Sequence, residues 1–167
     1  MRYAGAILIM AACALSGFIA AGRTAKRVSS LGGIIAFLKL YVVELGCSMS
    51  CTDELIRSTA GISGAPCFVE RYGRLSDEGM SLPEAWKRAV AESRDRMCLE
   101  REETRIIAEL GKIFGRYDAQ GQIKAIESRT AQLETLLDRA DRCREQKTPV
   151  YRTLGVLAGA AAAIFIC

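Results

Sequence analysis

The fold of this chain depends on residues 31–46, which read LGGIIAFLKLYVVELG. Their apolar side chains recur at helical spacing and form one wide stripe of Ile34, Ile35, Leu38, Val42 and Leu45. A membrane-spanning helix needs about 20 apolar residues, but this stretch has about 16 and contains Lys39 and Glu44. We therefore predict a core helix of a globular domain rather than a membrane span.

An uncharged run, YAGAILIMAACALSGFIAAG, lies upstream at residues 3–22. A helix of this length, rising about 1.5 Å per residue, would cross the roughly 30 Å core of a bilayer. A secretory signal peptide is the alternative, because Arg2 precedes an apolar stretch with small residues. The run is long for a signal peptide and basic residues follow it, which favours a retained transmembrane anchor at residues 1–22.

A second apolar run lies downstream at residues 148–167, TPVYRTLGVLAGAAAAIFIC. Thr148-Pro149 predicts a break or kink, and the segment after Arg152 has only about 15 residues, which is short for a span. A buried core helix is the alternative, but the lack of polar residues favours a C-terminal transmembrane segment at 150–167. Gly155 and Gly159 form a GxxxG motif that lets helix backbones approach closely in lipid.

Basic residues flank the inner sides of both runs. They are Arg23, Lys26, Arg27, Arg139, Arg142, Arg144, Lys147 and Arg152. The positive-inside rule then places the central domain, residues 23–149, in the cytoplasm and both termini on the far side of the cell membrane. These clusters also explain much of the net charge of +4, so we predict contact with anionic lipid and no nucleic-acid binding.

The region between the runs shows no β pattern, so the predicted fold class is all-α. We expect a compact bundle of about six helices flanked by N- and C-terminal transmembrane helices. After the helix at 31–46, further helices are predicted at about 52–61, 65–75, from Ser81 onward, 99–114 and 118–147. In the last of these, the predicted core-facing stripe is Ile123, Ile126, Leu133, Leu137, Ala140 and Cys143.

The clearest helix start is SLPEAW at residues 81–86. Ser81 with Glu84 three residues later predicts a capping box, and the proline between them suits the first turn. Trp86 is the single tryptophan of the chain. We predict that it is a core anchor with its N–H at the edge of the core, with ligand stacking as the alternative.

A glycine-containing segment, ELGKIFGRYDAQGQ, occupies residues 109–122. Gly111 lies within a helical pattern, where glycine costs about 1 kcal/mol relative to alanine, and this indicates a close approach of helices. Gly115 suits a left-handed C-cap, and Asp118 can cap the next helix. The spacing does not fit a phosphate-binding loop.

No residue pattern in the chain predicts catalysis. The sequence contains no histidine, and its seven cysteines are irregularly spaced, so we predict no metal site and interpret the cysteines as small buried hydrophobes. Glu102 and Glu103 lie among Arg101 and Arg105, which is typical of a solvated helix face. We expect a protein that is not an enzyme and has no catalytic residue, cofactor or small-molecule substrate.

Three motifs carry a resemblance to a known family: SLPEAW at 81–86, ELGKIFGRYDAQGQ at 109–122 and YRTLGVLAG at 151–159. With an N-terminal apolar run ahead of them, they make the chain similar to the stage III sporulation protein AB family over almost its whole length. The resemblance implies a mother-cell membrane protein that faces the forespore. It implies membership of the channel complex that connects the two cells and is required for forespore development and late forespore gene expression.

The resemblance also implies a fold and a set of positions. The family's soluble domain resembles the cytoplasmic helical domain of the F-type platform protein of type II secretion, which contacts an assembly ATPase. The family's turn motif corresponds here to Leu110, Gly111, Gly115 and Asp118. Its helix-start motif corresponds to Leu82, Glu84, Ala85 and Trp86. These are implied to be fold and assembly residues, and the departure SMSCTDEL at 48–55 implies a different start for the second helix.

Two functions follow as hypotheses. The first is a non-enzymatic, membrane-anchored platform subunit of the mother cell–forespore channel, which docks the ATPase through its helical domain. Its partners would be the other channel proteins and membrane lipid. The alternative is a regulatory or adaptor membrane protein that binds anionic lipid or a partner helix outside any transport apparatus.

Overall fold

The fold is known from a computed structural model that describes the backbone at residues 2–47, 52–60, 66–116 and 118–166. Side chains are described at 22–47, 52–59, 66–116 and 118–145. Within these ranges the chain forms six helices and no strand, in agreement with the predicted all-α class. The helices are α1 (Arg2–Cys47), α2 (Thr52–Ala60), α3 (Cys67–Asp77), α4 (Leu82–Met97), α5 (Arg101–Leu110) and α6 (Ala119–Ile166).

The two longest helices, α1 and α6, pack along each other in opposite directions. The rings of Tyr41 and Phe114 contact each other with centroids 5.0 Å apart, and α6 begins only five residues after Phe114. Five residues reach at most about 18 Å, so α6 must begin near the C-terminal end of α1. Because Glu134, further along α6, pairs with Lys39 at 2.7 Å, α6 runs back along α1.

Helix α1 combines two segments that the sequence analysis separates. It is continuous from Arg2 to Cys47, since nothing between residues 23 and 31 is a proline or glycine that would end it. Its part Gly22–Cys47 is long and apolar enough to cross a membrane by length and composition. However, Leu31, Ile34 and Leu38 are completely buried against the other helices, which confirms the predicted core helix.

The predicted membrane segments, 1–22 and 150–167, lie outside the described side chains except for Gly22. The same holds for Gly155 and Gly159, so their roles stay predictions. Of the break or kink predicted at Thr148-Pro149, the break is wrong, because α6 is helical from Ala119 to Ile166, and the kink stays a prediction. A proline removes one backbone donor and crowds one carbonyl, and here the helical hydrogen bonding on either side keeps the helix continuous.

The inner face of α6 confirms the predicted amphipathic stripe in part. Ile126, Leu133 and Ala140 are buried as expected. The other predicted positions, Ile123, Leu137 and Cys143, are half-buried at the margins of the stripe. The centre of the stripe also includes residues that the pattern did not select, namely Gln122, Thr130 and Leu136.

The short helices α2 to α5 follow α1 and precede α6 in sequence, and they begin close to the predicted positions. Ser81 is the N-cap of α4, as predicted, but the capping box is absent. The Ser81 hydroxyl donates to Glu84 Oε2 at 2.8 Å, and the Ser81 side chain makes no cap hydrogen bond to the backbone. At the start of α5, in contrast, the Glu100 N–H donates to Glu103 Oε2 at 2.7 Å.

Helix α5 is shorter than predicted, because it ends at Leu110 and a series of turns follows to residue 116. The Gly111 N–H bonds to the Ala108 carbonyl at 3.3 Å, which tightens the end of the helix. Gly115 has the predicted left-handed conformation, with φ of 72°, but it lies in the turns and does not cap the helix. This turning brings Phe114 into the core.

Candidate functional site

Trp86 is the centre of the core and lies where the two central motifs meet. Its side chain is completely buried, which confirms the predicted anchor role. The rings of Phe37, Phe68, Tyr72 and Phe114 surround it at centroid distances of 4.7–6.4 Å. The indole N–H donates to the Ile107 carbonyl at 2.7 Å inside the core, so the prediction of an N–H at the core edge is wrong.

Gly111 packs directly on the Trp86 side chain. A Cβ atom at this position would lie 2.8 Å from Trp86 Cδ1 and 3.0 Å from Trp86 Cβ. Real Cβ atoms essentially never approach another heavy atom so closely, and the buried indole has no room to move. The close approach predicted for Gly111 is therefore confirmed, and its partner is Trp86 of α4.

The remaining motif residues divide between core and surface. Leu110 is completely buried and Leu82 is half-buried. Glu84 and Asp118 are exposed, and the Asp118 carbonyl accepts the Gln122 N–H at 2.9 Å. The structure thus brings Leu110, Gly111 and Trp86 together and leaves the acidic motif residues at the surface, while Gly115 lies exposed in its turn.

A buried ion pair joins α1 to α5. Glu103 is completely buried, and its Oε1 accepts hydrogen bonds from Arg27 Nη2 at 2.6 Å and from Arg27 Nε at 2.9 Å. Arg27 also contacts Glu100 through Nη1. The prediction of a solvated acidic face is correct for Glu102, which is exposed, but wrong for Glu103.

The sequence did contain a signal for this pair. Glu103 precedes Ile106, Ile107 and Leu110 at the spacing of one buried helical stripe. Arg27 has the same relation to the buried Leu31 and continues the core-facing side of α1. A charge of opposite sign at a stripe position on each of two helices predicts an internal pair. Losing one partner from such a pair leaves an uncompensated buried charge.

A polar cleft of about 640 Å³ opens beside this pair, between α1 and the connection from α4 to α5. Arg23, Arg94 and Arg101 line it together with Asp95 and Glu102. Among the described residues, none of these three arginines has a carboxylate within salt-bridge distance. The cleft therefore offers guanidinium groups that suit an anionic group such as a phosphate.

A second polar cluster joins α2 to α3. The Asp53 carboxylate accepts hydrogen bonds from the Tyr72 hydroxyl, from Ser76 Oγ at 3.2 Å and from Arg57 Nε at 2.9 Å. Burial alone would raise the pKa of Asp53, but these hydrogen bonds and the charge of Arg57 outweigh it and lower the pKa. The pKa of Tyr72 is raised, first by burial and then by its bond to Asp53, so the phenol stays protonated and donates.

The cysteines do not behave as the sequence suggested. Cys47 is exposed, whereas Cys67, Cys98 and Cys143 are half-buried, so the prediction of buried cysteines is wrong for Cys47. Cys51 lies outside the described residues. Within the described part of the chain, no cluster of three or more His, Cys, Asp or Glu side chains has an arrangement that could hold a metal ion.

The same segments that build the core match a known family. A family model described as stage III sporulation protein AB matches residues 2–167. Neither the curated proteins nor the solved structures that were compared with the chain gave a match, so the resemblance of the bundle to the F-type platform domain stays a prediction. Since the family match covers both long helices and everything between them, the chain belongs to the stage III sporulation protein AB family.

Proposed function

We propose that this protein is a membrane-anchored platform subunit of the sporulation channel between mother cell and forespore. The antiparallel course of α1 and α6 carries the proposal. It directs the apolar runs at 3–22 and 153–167 away from the same end of the bundle. Two apolar helices that leave one end of a globular domain suit a membrane hairpin whose domain remains on one side of the bilayer.

The domain is proposed to act as a docking body and not as an enzyme. Its centre is filled by Trp86 and four aromatic rings, which leaves no internal pocket at that position. The cleft beside the Arg27–Glu103 pair offers arginines and carboxylates without histidine, since the chain has none. Binding through charge and shape is the chemistry that such a surface supports.

The proposed partner of the domain is the assembly ATPase of the channel. This step depends on the resemblance of the helical domain to the F-type platform protein, whose cytoplasmic domain contacts such an ATPase. The all-helical bundle is compatible with that role. The basic residues that flank the apolar runs support a cytoplasmic domain, with both termini on the far side of the mother-cell membrane.

A pull-down from membranes of sporulating cells tests the function. The full-length tagged protein is solubilised in mild detergent, and the retained proteins are identified by mass spectrometry. We expect the other channel subunits and the ATPase to co-purify. A matched sample from vegetative cells that express the same tagged protein controls for adhesion to the matrix. Recovery of no channel protein from the sporulating sample would overturn the proposal.

The proposed topology has its own test, because single cysteines can report each side of the membrane. Two variants are made in which six of the seven cysteines are replaced by serine, leaving either the exposed Cys47 or Cys167. With the variants expressed in the surface membrane of vegetative cells, we expect an impermeant maleimide to label Cys167 in intact protoplasts and Cys47 only after lysis. The opposite pattern would contradict a cytoplasmic domain.

The cleft lined by Arg23, Arg94 and Arg101 favours a second candidate function, an adaptor that binds anionic lipid. Arg23 directly follows the apolar run at 3–22, so a lipid phosphate at the membrane surface would lie close to the cleft. This function predicts salt-sensitive binding to liposomes that contain phosphatidylglycerol, and normal spores in a deletion strain. The platform proposal predicts that the deletion strain fails to complete spore development.

A further inference from the structure

A groove of about 440 Å³ lies between α4 and α5 and is continuous with the cleft through Arg94 and Arg101, which line both. Each wall is one stripe of a helix. The wall from α4 consists of Lys87, Ala91 and Arg94, four and then three residues apart. The wall from α5 and the turn after it consists of Arg101, Thr104, Arg105, Ala108, Glu109 and Lys112.

The walls carry a surplus of positive charge. Five of the lining residues are lysine or arginine, and Glu109 is the single acidic one. Glu109 is already paired with Arg105 at 2.9 Å and with Arg129 at 3.1 Å. None of the other basic side chains in the groove has a carboxylate within salt-bridge distance among the described residues. Four cations of the groove therefore have no carboxylate partner in the part of the chain that the structure describes, although Arg94 Nε donates to the Leu99 carbonyl at 3.3 Å.

The side chains between these cations are small, so they leave an open surface in the groove. Ala91 is exposed and Ala108 is half-buried, and both lie between basic residues of their own helix. Alanine at these positions lets the backbone of another helix approach closely, as in helix-in-groove recognition. The ten residues of α5 are about 15 Å long, which matches about three turns of a bound helix.

The far end of the groove is distant from the region that a membrane would occupy. Lys112 is two residues from Phe114, whose ring contacts Tyr41. Tyr41 lies nineteen residues along α1 from Gly22, or about 29 Å along the helix axis. A lipid headgroup at the end of the apolar run would reach the cleft but not Lys87 and Lys112, so the observations favour a protein occupant.

We propose that the groove between α4 and α5 docks an acidic helix of a partner protein. The inference rests on the proposed function, since the partner is a subunit of the same sporulation assembly. Aspartate or glutamate at every third or fourth position of that helix meets Lys87, Arg94, Arg101 and Lys112 from both walls. Its small residues face Ala91 and Ala108. The surplus charge also accelerates encounter with an acidic partner.

Site-specific crosslinking in sporulating cells tests the proposal. A benzophenone amino acid replaces Ala91 in the full-length protein, and the crosslinked peptide is sequenced by mass spectrometry. The same substitution at Ala131, which is exposed on α6, is the matched control. We expect Ala91, but not Ala131, to capture a helical segment of a channel subunit rich in aspartate and glutamate.

Charge reversal then separates docking by charge from simple proximity. Lys87→Glu with Lys112→Glu should lower the Ala91 crosslink by about tenfold or more, because it removes two cations and adds two anions. Lys124→Glu with Arg139→Glu changes the net charge equally at exposed sites on α6 and should leave the yield unchanged. Reversing two acidic residues of the captured segment to lysine should restore the crosslink in the Lys87→Glu, Lys112→Glu protein.

The outcomes distinguish this inference from the proposed function. Equal yields in both charge variants, or a crosslink to lipid alone, would overturn the docking groove. An absent crosslink while the channel proteins still co-purify would also overturn it and would leave the platform function intact. Equal melting temperatures of the two charge variants, followed by circular dichroism, confirm that the loss is not caused by unfolding.

Discussion

The two faces of helix α4 differ in whether their basic side chains have acidic partners. On one side, Arg88 and Arg71 both bond to Glu92, at 2.8 and 2.6 Å. On the other side, Lys87 and Arg94 line the groove without a carboxylate partner among the described residues. Lys87 and Arg88 are adjacent in sequence, but the helical turn of about 100° per residue assigns them to different faces.

The face of α4 that carries Arg88 and Glu92 is called the compensated face here, because its charges are paired. The same kind of pairing continues across α2 and α3. Arg57 bonds to Asp53 at 2.9 Å and to Asp77 at 2.7 Å, and Arg74 bonds to Glu70 at 2.7 Å. Exposed pairs of this kind contribute little to stability. On this face each of these arginines already has an acidic partner. The groove differs because four of its five basic side chains have no carboxylate partner among the described residues and can pair with another protein.

The largest effect is expected at the Arg27–Glu103 ion pair, because Glu103 is completely buried and its carboxylate needs a counter-charge. Replacing Glu103 by glutamine leaves the largely buried Arg27 guanidinium with the exposed Glu100 as its remaining acidic partner, and we expect a loss of about 2–3 kcal/mol in the free energy of unfolding. Trp86 is the single tryptophan and lies in the core, so its fluorescence reports unfolding of the full-length protein in detergent. Glu102→Gln, at the exposed neighbouring position, is the control.

A double replacement sharpens the result for the pair. Arg27→Met combined with Glu103→Met removes both charges and keeps apolar volume at the site. We expect the double variant to be more stable than either single variant, because neither charge is left buried alone. Additive losses in the double variant would show that the two side chains act independently, which the structure does not support.

The second prediction concerns Gly111, which directly follows α5 and packs on Trp86 of α4. Gly111→Ala should lower the free energy of unfolding by about 1–3 kcal/mol, because the new methyl group overlaps the Trp86 side chain. Gly73→Ala is the matched control, since a Cβ at Gly73 in α3 meets no atom within 4 Å. That variant should gain up to about 1 kcal/mol from helix propensity. Equal effects at both positions would contradict the packing described for Gly111.

The third prediction uses the pH dependence of the compensated face. The pKa of Asp53 is lowered in the folded protein, so its contribution exists above the unfolded pKa of about 3.9 and is lost as the pH falls through the folded value. Asp53→Asn should cost about 1 kcal/mol at pH 7, allowing for its partial exposure. The difference between the two proteins should shrink below about pH 4. A difference that stays constant down to pH 2 would exclude the carboxylate as its source.

The smallest effect is expected in the groove itself. Replacing both Lys87 and Lys112 by glutamine should change the melting temperature by less than about 2 °C, because neither side chain has a partner within the described residues. The two lysines are thus expected to contribute to partner binding and not to the stability of the fold. A loss of several degrees would mean that these lysines stabilise the fold and are not free for a partner.

Much of the helical framework was predictable from local pattern. The stripe of 31–46 identified a core helix, and Ser81 marked a helix start that the structure has at Leu82. These features depend on side-chain periodicity and on backbone chemistry within a few residues. Neither requires knowledge of which helices are neighbours.

Contacts between helices were the part that sequence reasoning missed. Glu103 was assigned to the surface from its charge, although its position on the stripe of Ile106 and Leu110 indicated the core. The contact of Gly111 with Trp86 was predicted as a close approach without a partner. The groove depends on how α4 and α5 are rotated relative to each other. The residue pattern of one helix does not predict that rotation.

The continuity of α1 couples the orientation of the bundle to that of its N-terminal run. With no interruption from Arg2 to Cys47, the helical backbone of the upstream run is continuous with the backbone that carries Leu31 and its neighbours. One residue inserted between Arg27 and Leu31 would rotate the upstream segment by about 100° and shift it by about 1.5 Å. The continuous helix therefore links the direction that each face of the bundle takes to the orientation of the upstream run in its surroundings.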